Sequence, residues 1–403
     1  MGGLVAPPVA GELASLTSLD RSFLHVFVAG PGTGEGIALA LPQRGWVLID
    51  GCRSDEDSSG EHLPLRWLVQ RFRGPPEEDP VQAMVLTHPH GDHADGFGEL
   101  VVELDPELVG VASPDPPQRT LLDLFEEAVA AQPYDAEADR RNRQVEVAFK
   151  AMNLWEDRRG SSVTALRDGI SWRWGQVEMA ARAPTAAELA ALLSRVTPRN
   201  VGRVANRMSL VFEVTMGDLR LVLGGDMPSE HGGSVVPEGW GNILGRHPDL
   251  ARAVALKVPH HGSREALHDG LLAGEPADRC WWVTPFARSA LPRGQRSEAR
   301  GVVEGMTRLL GHQERVQVTA LPTRRARQRH VPPPGYVTQS EWNEAFQAKD
   351  LAGPFAKRAL EVGPAPGALP GQPLWGAAFD AGGRWAARWR GEVAMDVVRD
   401  AVV

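Results

Sequence analysis

Met84-Val85-Leu86-Thr87-His88-Pro89-His90-Gly91-Asp92-His93-Ala94-Asp95-Gly96 is the stretch on which the reading of this chain turns. The apolar run Ala83 to Leu86 reads as a buried strand. Directly after it, positions 88–93 hold three histidines and one aspartate. Pro89 and Gly91 keep the segment from continuing as a strand or a regular helix. Imidazole and carboxylate are the ligands that hold zinc, manganese or iron, and a loop leaving a buried strand can aim several of them at one point. The plain alternative is a polar loop that happens to be rich in histidine. Two later clusters weigh against it.

The first is Gly224-Gly225-Asp226. The apolar runs Leu210 to Val214 and Leu219 to Leu223, separated by Met216-Gly217-Asp218, predict a β-hairpin. Its second strand delivers Asp226 to a bend where glycine permits close backbone approach. The second cluster is Ala255-Leu256-Lys257-Val258-Pro259-His260-His261-Gly262-Ser263, again an apolar strand ending in histidine. Adjacent residues point in different directions, so one of the two histidines is expected to bind metal. His260 is favoured, which leaves His261 to face substrate or to pack.

Around these clusters the pattern is mixed α/β. Strands are expected at 23–28, 37–41 and 46–49, the last closing on Asp50. The glycine-rich segment Gly30 to Gly36 lacks the Lys-Ser/Thr of a phosphate-binding loop and reads as a tight hairpin connection. Helices are expected at 61–73 and 97–104, and a loop at 104–117. A helical insertion follows over about 118–160, either capping the site or lying at the periphery; it opens with the amphipathic spacing of Leu121, Leu124, Phe125, Ala128 and Val129. Strand character returns at 171–183. Thr185-Ala186-Ala187-Glu188 is a capping box that starts a short helix. Strands at 280–284 and 315–319 flank a helix at about 298–310. The basic run Arg324 to His330 and Val331-Pro332-Pro333-Pro334-Gly335 read as a linker, and a further helix is expected at 340–350.

The chain has 403 residues, a net charge of −8 and two cysteines, Cys52 and Cys280. That length allows a large core. The acidic balance excludes a surface that is basic throughout, though not a local basic groove. Two cysteines make no disulfide framework and fit a reducing compartment. No signal peptide and no bilayer-spanning apolar run are read, so the expected location is cytoplasmic, with no membrane partner.

Taken together, Asp50, T-H-P-H-G-D-H, N-x-x-S-L-V from Asn206 to Val211, G-G-D and K-V-P-H-H-G-S resemble the metallo-β-lactamase superfamily. The resemblance runs over about residues 20–322 and is nearest to the hydrolase domain of the DNA-uptake channel protein ComEC and its stand-alone relatives. It implies a four-layer αβ/βα sandwich, here carrying the helical insertion and a C-terminal extension. The expected division is a lead-in over 1–19, the hydrolase domain over 20–322, and a linker with an extension of unassigned role over 323–403.

The resemblance also implies a ligand set for two divalent metals, Zn or Mn with Mg as a further choice. That set is His88, His90, Asp92, His93, the bridging Asp226 and His260, with Asp50 bracing the loop. Two-zinc members carry another histidine between the loop and the bridging aspartate. Here none occurs from Ala94 to Glu230, which brings Asn206 or Ser209 forward as weak ligands or supporting donors. The expected activity is hydrolysis by a metal-bound hydroxide, because a divalent ion lowers the pKa of its water towards about 7. Asp92 would orient that hydroxide. Lys257, His261 and Ser263 would bind or protonate a phosphate. A phosphodiester or nucleic acid is the leading substrate. The alternatives are another ester, such as a lactone or phosphocholine ester, and a non-catalytic binding module. Protein partners are expected, if anywhere, at the C-terminal extension.

Overall fold

The computed structural model describes residues 11–13, 16–30, 34–53, 63–114, 136–196, 204–229, 239–274, 279–284, 296–313, 315–319, 336–338, 374–382, 384–390 and 395–398. Within them the chain forms two mixed sheets. The first draws on β1 (Gly11–Glu12), β2 (Leu24–Ala29), β3 (Gly36–Ala40), β4 (Trp46–Ile49), β5 (Val81–Leu86), β6 (Leu108–Ala112) and β7 (Thr164–Leu166). The second draws on β8 (Ser171–Trp174), β9 (Val177–Ala183), β10 (Val211–Met216), β11 (Leu219–Leu223), β12 (Ala255–Lys257), β13 (Cys280–Val283) and β14 (Arg315–Val318). Four C-terminal strands follow: β15 (Tyr336–Thr338), β16 (Leu374–Phe379), β17 (Trp385–Arg390) and β18 (Met395–Val398). The first sheet has the order β1-β17-β16-β2-β3-β4-β5-β6-β7, the second β15-β18-β14-β13-β12-β11-β10-β9-β8.

The strands explain their own burial. β2, β3 and β4 read LHVFVA, GIALA and WVLI and are buried throughout, as expected of strands covered on both faces. Residues of both sheets, among them Phe27, Leu39, Met84, Phe212, Leu221, Trp282 and Phe379, share one apolar core. The outer side of the second sheet buries Val222, Leu256, Trp281 and Val316 against Met306 and Leu309 of the helix Arg296–His312. Helices Pro64–Phe72, Phe97–Leu104 and Ala136–Arg159 pack with the first sheet. The result is a four-layer αβ/βα sandwich. The helix at Ala186–Leu193 begins with the capping box, Thr185 and Glu188 each closing the other's backbone N–H.

Three expectations need correction or refinement. The segment 104–117, read as loop, contains β6, whose run LVGVA pairs in parallel with β5. Described strands after residue 322 join both sheets: β16 lies between β2 and β17, and β18 pairs with β14. The insertion's described helix, Ala136–Arg159, packs against the turn Gly91–Ala94 and the helix Phe97–Leu104, with Trp155 donating to the Pro106 carbonyl at 2.9 Å. It backs the histidine loop from outside. The expected helices at 121–129 and 340–350, and the run 324–330, lie outside the described residues. No helix among the described residues is long and apolar enough to cross a membrane.

The parallel strands set the position of the site. β4, β5 and β6 run parallel, as do β11, β12 and β13. Asp50, His88, Asp226 and His260 each follow the carboxyl end of one of these strands. In open α/β sheets that end is where loops converge on a ligand. The two sheets meet there through the Leu210 N–H, which donates to the Thr87 carbonyl at 3.0 Å.

Candidate metal centre

The histidine loop is held by Asp50, which is fully buried. Its carboxylate accepts from the Thr87 N–H and the Thr87 hydroxyl, each at 2.7 Å. It also lies 2.7 Å from His93 Nδ1. That last bond puts a proton on Nδ1 and turns Nε2 inward, the usual way a carboxylate fixes the tautomer of a ligating histidine. His93 Nε2 then faces Asp226 Oδ2 at 3.4 Å. The His88 and His93 rings are 4.2 Å apart between centroids.

Asp226 is set by its neighbours in sequence and by Ser209. Gly225 has φ +50, and a Cβ there would run into the Ser209 hydroxyl and the Leu210 carbonyl. Only glycine fits that bend without strain. The Asp226 N–H donates to Ser209 Oγ at 2.8 Å, and Ser209 Oγ lies 3.4 Å from His88 Nδ1. Ser209 therefore touches both halves of the site.

The two adjacent histidines take different environments beside Asp226. His260 and His261 both have left-handed backbones, φ 46 and 55, so the chain coils sharply after Pro259. His261 is turned inward: its side chain is fully buried, with Nε2 3.5 Å from Asp92 and 3.6 Å from Asp226. His260 keeps 26% of its side chain exposed, 3.9 Å from Asp226, and its Nε2 lies 3.1 Å from Asn206 Nδ2. The helix Arg296–His312 presses on this coil at Gly305, where a Cβ would collide with the Gly262 carbonyl.

Three sets of donor atoms lie within 4.8 Å of one another: His88, His93 and Asp226; Asp92, His93 and His261; and Glu35, Asp50 and His93. His90 and His260 belong to none of these sets. His90 instead stacks near His88, with centroids 5.8 Å apart, and pairs its Nδ1 with Asp92. Two further expectations change. Lys257 is completely buried and ion-paired with Glu35, so it is closed to a phosphate. The Ser263 hydroxyl is turned to Glu265 instead of to the site.

The electrostatics suit a cation. Burial, reinforced by neighbouring His93, holds the His88 imidazole well below its ordinary pKa; it is neutral, the form that ligates metal. Burial works against the ionised forms of Asp92 and Asp226, but the histidines around them outweigh it and hold both carboxyls well below the usual range. Burial likewise opposes a charged His93, yet the Asp226 and Asp50 carboxylates raise it well above its ordinary value. His88 Nε2 and Asp226 Oδ1 are buried with no hydrogen-bond partner among the described residues. Such orphaned atoms are costly unless an ion completes them. The donor set thus fits divalent metal.

Comparison with known proteins gives fold-level likeness only. No family model and no curated protein matches. Similar solved structures include Rm3 metallo-β-lactamase, 20% identical over 60% of this chain and 78% of that one, TM-score 0.33. A B3 metallo-β-lactamase described as having an active-site glutamic acid is 15% identical over 75% and 94%, TM-score 0.33. The metallo-β-lactamase fold protein YhfI from Bacillus subtilis is 14% identical over 58% and 70%, TM-score 0.27. These superpositions are partial, and the architecture rests on the strand order and layering described above.

Glu35 is the residue the sequence reading missed. It sits between two glycines at the start of a buried strand, and Lys257 ends another apolar strand. An acidic residue just before one apolar strand and a lysine ending another were the available signal.

Proposed function

We propose that this protein is a metal-dependent hydrolase of the metallo-β-lactamase type acting on phosphodiesters. The observation that carries the hydrolase reading is the convergence of His88, His93, Asp92, Asp226 and His261, with buried donor atoms that nothing else completes. Divalent ions held there would supply a nucleophilic water of lowered pKa and Lewis-acid polarisation of the scissile group. His88, His93 and Asp226 would hold one ion. Asp92 and His261, with the Asp226 carboxylate shared, would hold the other.

The chain's own residues account for the rest. Asp50 keeps the His93 proton on Nδ1. Ser209 ties the Asp226 backbone to His88. His260 and Asn206 are half-buried beside the donor atoms, the Asn206 amide directed at His260 Nε2, and we place them against substrate. The phosphodiester choice rests on the resemblance of the Asn206-x-x-Ser209 and Pro259 to Ser263 segments to the ComEC-type hydrolase domain; the two carboxylates in the donor set suit Mn²⁺ or Mg²⁺ as well as Zn²⁺.

The test is elemental analysis of protein purified without chelator, with assays on bis-p-nitrophenyl phosphate and on single- and double-stranded DNA with added Mn²⁺, Mg²⁺ or Zn²⁺. About two ions per chain are expected, with cleavage abolished by Asp92→Ala/His93→Ala. His261→Ala should lose bound metal. His260→Ala should keep it while kcat falls roughly 10²-fold. Metal without phosphodiester cleavage moves the substrate to another ester. No metal under any loading condition overturns the hydrolase reading and leaves a binding module.

A further inference from the structure

Behind the donor atoms lies a buried ion pair between Glu35, which precedes β3, and Lys257, the last residue of β12. Neither side chain is more than 1% exposed. Burying two charges costs several kcal/mol per ion before their attraction is counted, and a well-packed apolar pair often does as well or better. The pair is therefore weak evidence of stabilisation, and its contacts carry the argument instead. Each one leads to a different part of the candidate centre. The Glu35 N–H donates to the Asp92 carbonyl at 3.4 Å. Glu35 Oε2 accepts from the Thr284 hydroxyl at 3.0 Å. Thr284 in turn meets His261 Nδ1 through both its carbonyl and its hydroxyl. Lys257 Nζ donates to the Gly225 carbonyl at 3.3 Å, at the bend that presents Asp226. Glu35 Oε1 is buried with no hydrogen-bond partner among the described residues, and a carboxylate oxygen of Glu35 lies within 4.8 Å of donor atoms of His93 and Asp50.

The first sheet supplies Asp92 and His93, and the second supplies Asp226 and His261. We infer that the Glu35–Lys257 pair, with Thr284, is the positioning device that fixes the two halves of the metal centre relative to each other. Glu35 reaches Asp92 through its backbone and His261 through Thr284, while Lys257 sets Asp226. Partners behind ligands commonly change metal affinity 10- to 100-fold when removed. This inference rests on the metal-centre reading.

The test uses the cobalt-loaded full-length protein, because the visible spectrum of Co²⁺ reports the geometry of its donor set without any turnover. Wild type, Glu35→Gln, Lys257→Met and Thr284→Val are compared by Co²⁺ spectrum and by competitive chelator titration with Zn²⁺. Only protein with wild-type far-ultraviolet circular dichroism is used. The expected result is an altered Co²⁺ spectrum and a loss of affinity of roughly 10- to 100-fold in Glu35→Gln. Thr284→Val should show a smaller change in the same direction. It leaves the ion pair intact, so it carries the test if either charge variant does not fold. Folded variants with the wild-type spectrum and affinity, whatever their melting temperature, overturn the positioning role. A wild-type protein that takes up no Co²⁺ or Zn²⁺ overturns the metal-centre reading itself, a result distinct from unchanged variants.

Discussion

Asp50 has a left-handed backbone, φ 60, and three donors converge on its buried carboxylate. Removing that carboxylate strands the Thr87 N–H, the Thr87 hydroxyl and His93 Nδ1 away from water. Asp50→Ala should therefore destabilise the fold by about 3 kcal/mol, since each orphaned buried donor costs ~1–3 kcal/mol. Asp50→Asn is more informative. Its amide still accepts from Thr87 but offers an N–H to His93, which favours the other tautomer and takes the donor lone pair away from Nε2. The expected outcome is a near-normal urea midpoint with Zn²⁺ affinity down roughly 10- to 100-fold by chelator competition. Unchanged affinity would mean that His93 needs no such support. At this scale the sequence was informative where residue type and spacing speak for themselves, as in the histidine loop and Gly-Gly-Asp. It could not divide His260 from His261, because that choice is made by two positive φ angles which no residue pattern announces. Nor could it pair Glu35 with Lys257, 222 positions apart by their numbers (257 − 35).

Between elements, Asp79 is the clearest tie in the first sheet. It stands just before β5, accepts from the Trp46 indole N–H at 2.9 Å, the Gly74 N–H at 3.2 Å and the Gly45 N–H, and pairs with Arg21 at 2.9 Å. One carboxylate thus joins the approaches to β2, β4 and β5. Burial alone would raise its pKa, but these donors outweigh burial and lower it. An unfolded aspartate titrates near about 3.9. A depressed folded value means that the contribution is present above that pH and is lost as pH falls through the folded pKa. Urea unfolding from pH 7 to pH 3 should show falling stability towards the acid end. Asp79→Asn should cost about 2–3 kcal/mol at pH 7 and flatten that acid fall. A variant curve parallel to wild type would refute the assignment. Elements with local signals were readable: β4 falls at the expected 46–49, the helix Phe97–Leu104 at the expected 97–104, and Thr185 with Glu188 marked a helix start. β6 was missed because Asp105, Pro106 and Glu107 precede it and masked a short strand that is fixed by pairing with β5.

For the whole molecule, the largest departure from the sequence reading is the C-terminal segment. Its Gly- and Pro-rich composition suggested an appendage. Local pattern carries no record of pairing across the chain, and β16 joins β2 over six residue pairs from Leu374–Ala29 to Phe379–Leu24. The contact is also a core contact. Leu374, Trp375 and Phe379 are at most 1% exposed, and the Trp375 indole donates to the Val318 carbonyl of the second sheet at 2.7 Å. Burying each such large apolar side chain contributes about 1.5–3 kcal/mol. Three of them contribute roughly 5–9 kcal/mol, comparable to the whole net stability of a typical domain at about 5–15 kcal/mol. Removing them would also bare the edges of β2 and β14, whose unpaired backbone groups invite aggregation. A chain ending at residue 322 should therefore not be recovered as a folded, soluble monomer. Size-exclusion chromatography and far-ultraviolet circular dichroism of that truncation, beside the full chain, decide the matter. A monomeric 1–322 protein with the full chain's melting temperature would show the segment to be dispensable. Aggregation or loss of the folded spectrum is the outcome expected if both sheets are completed by it.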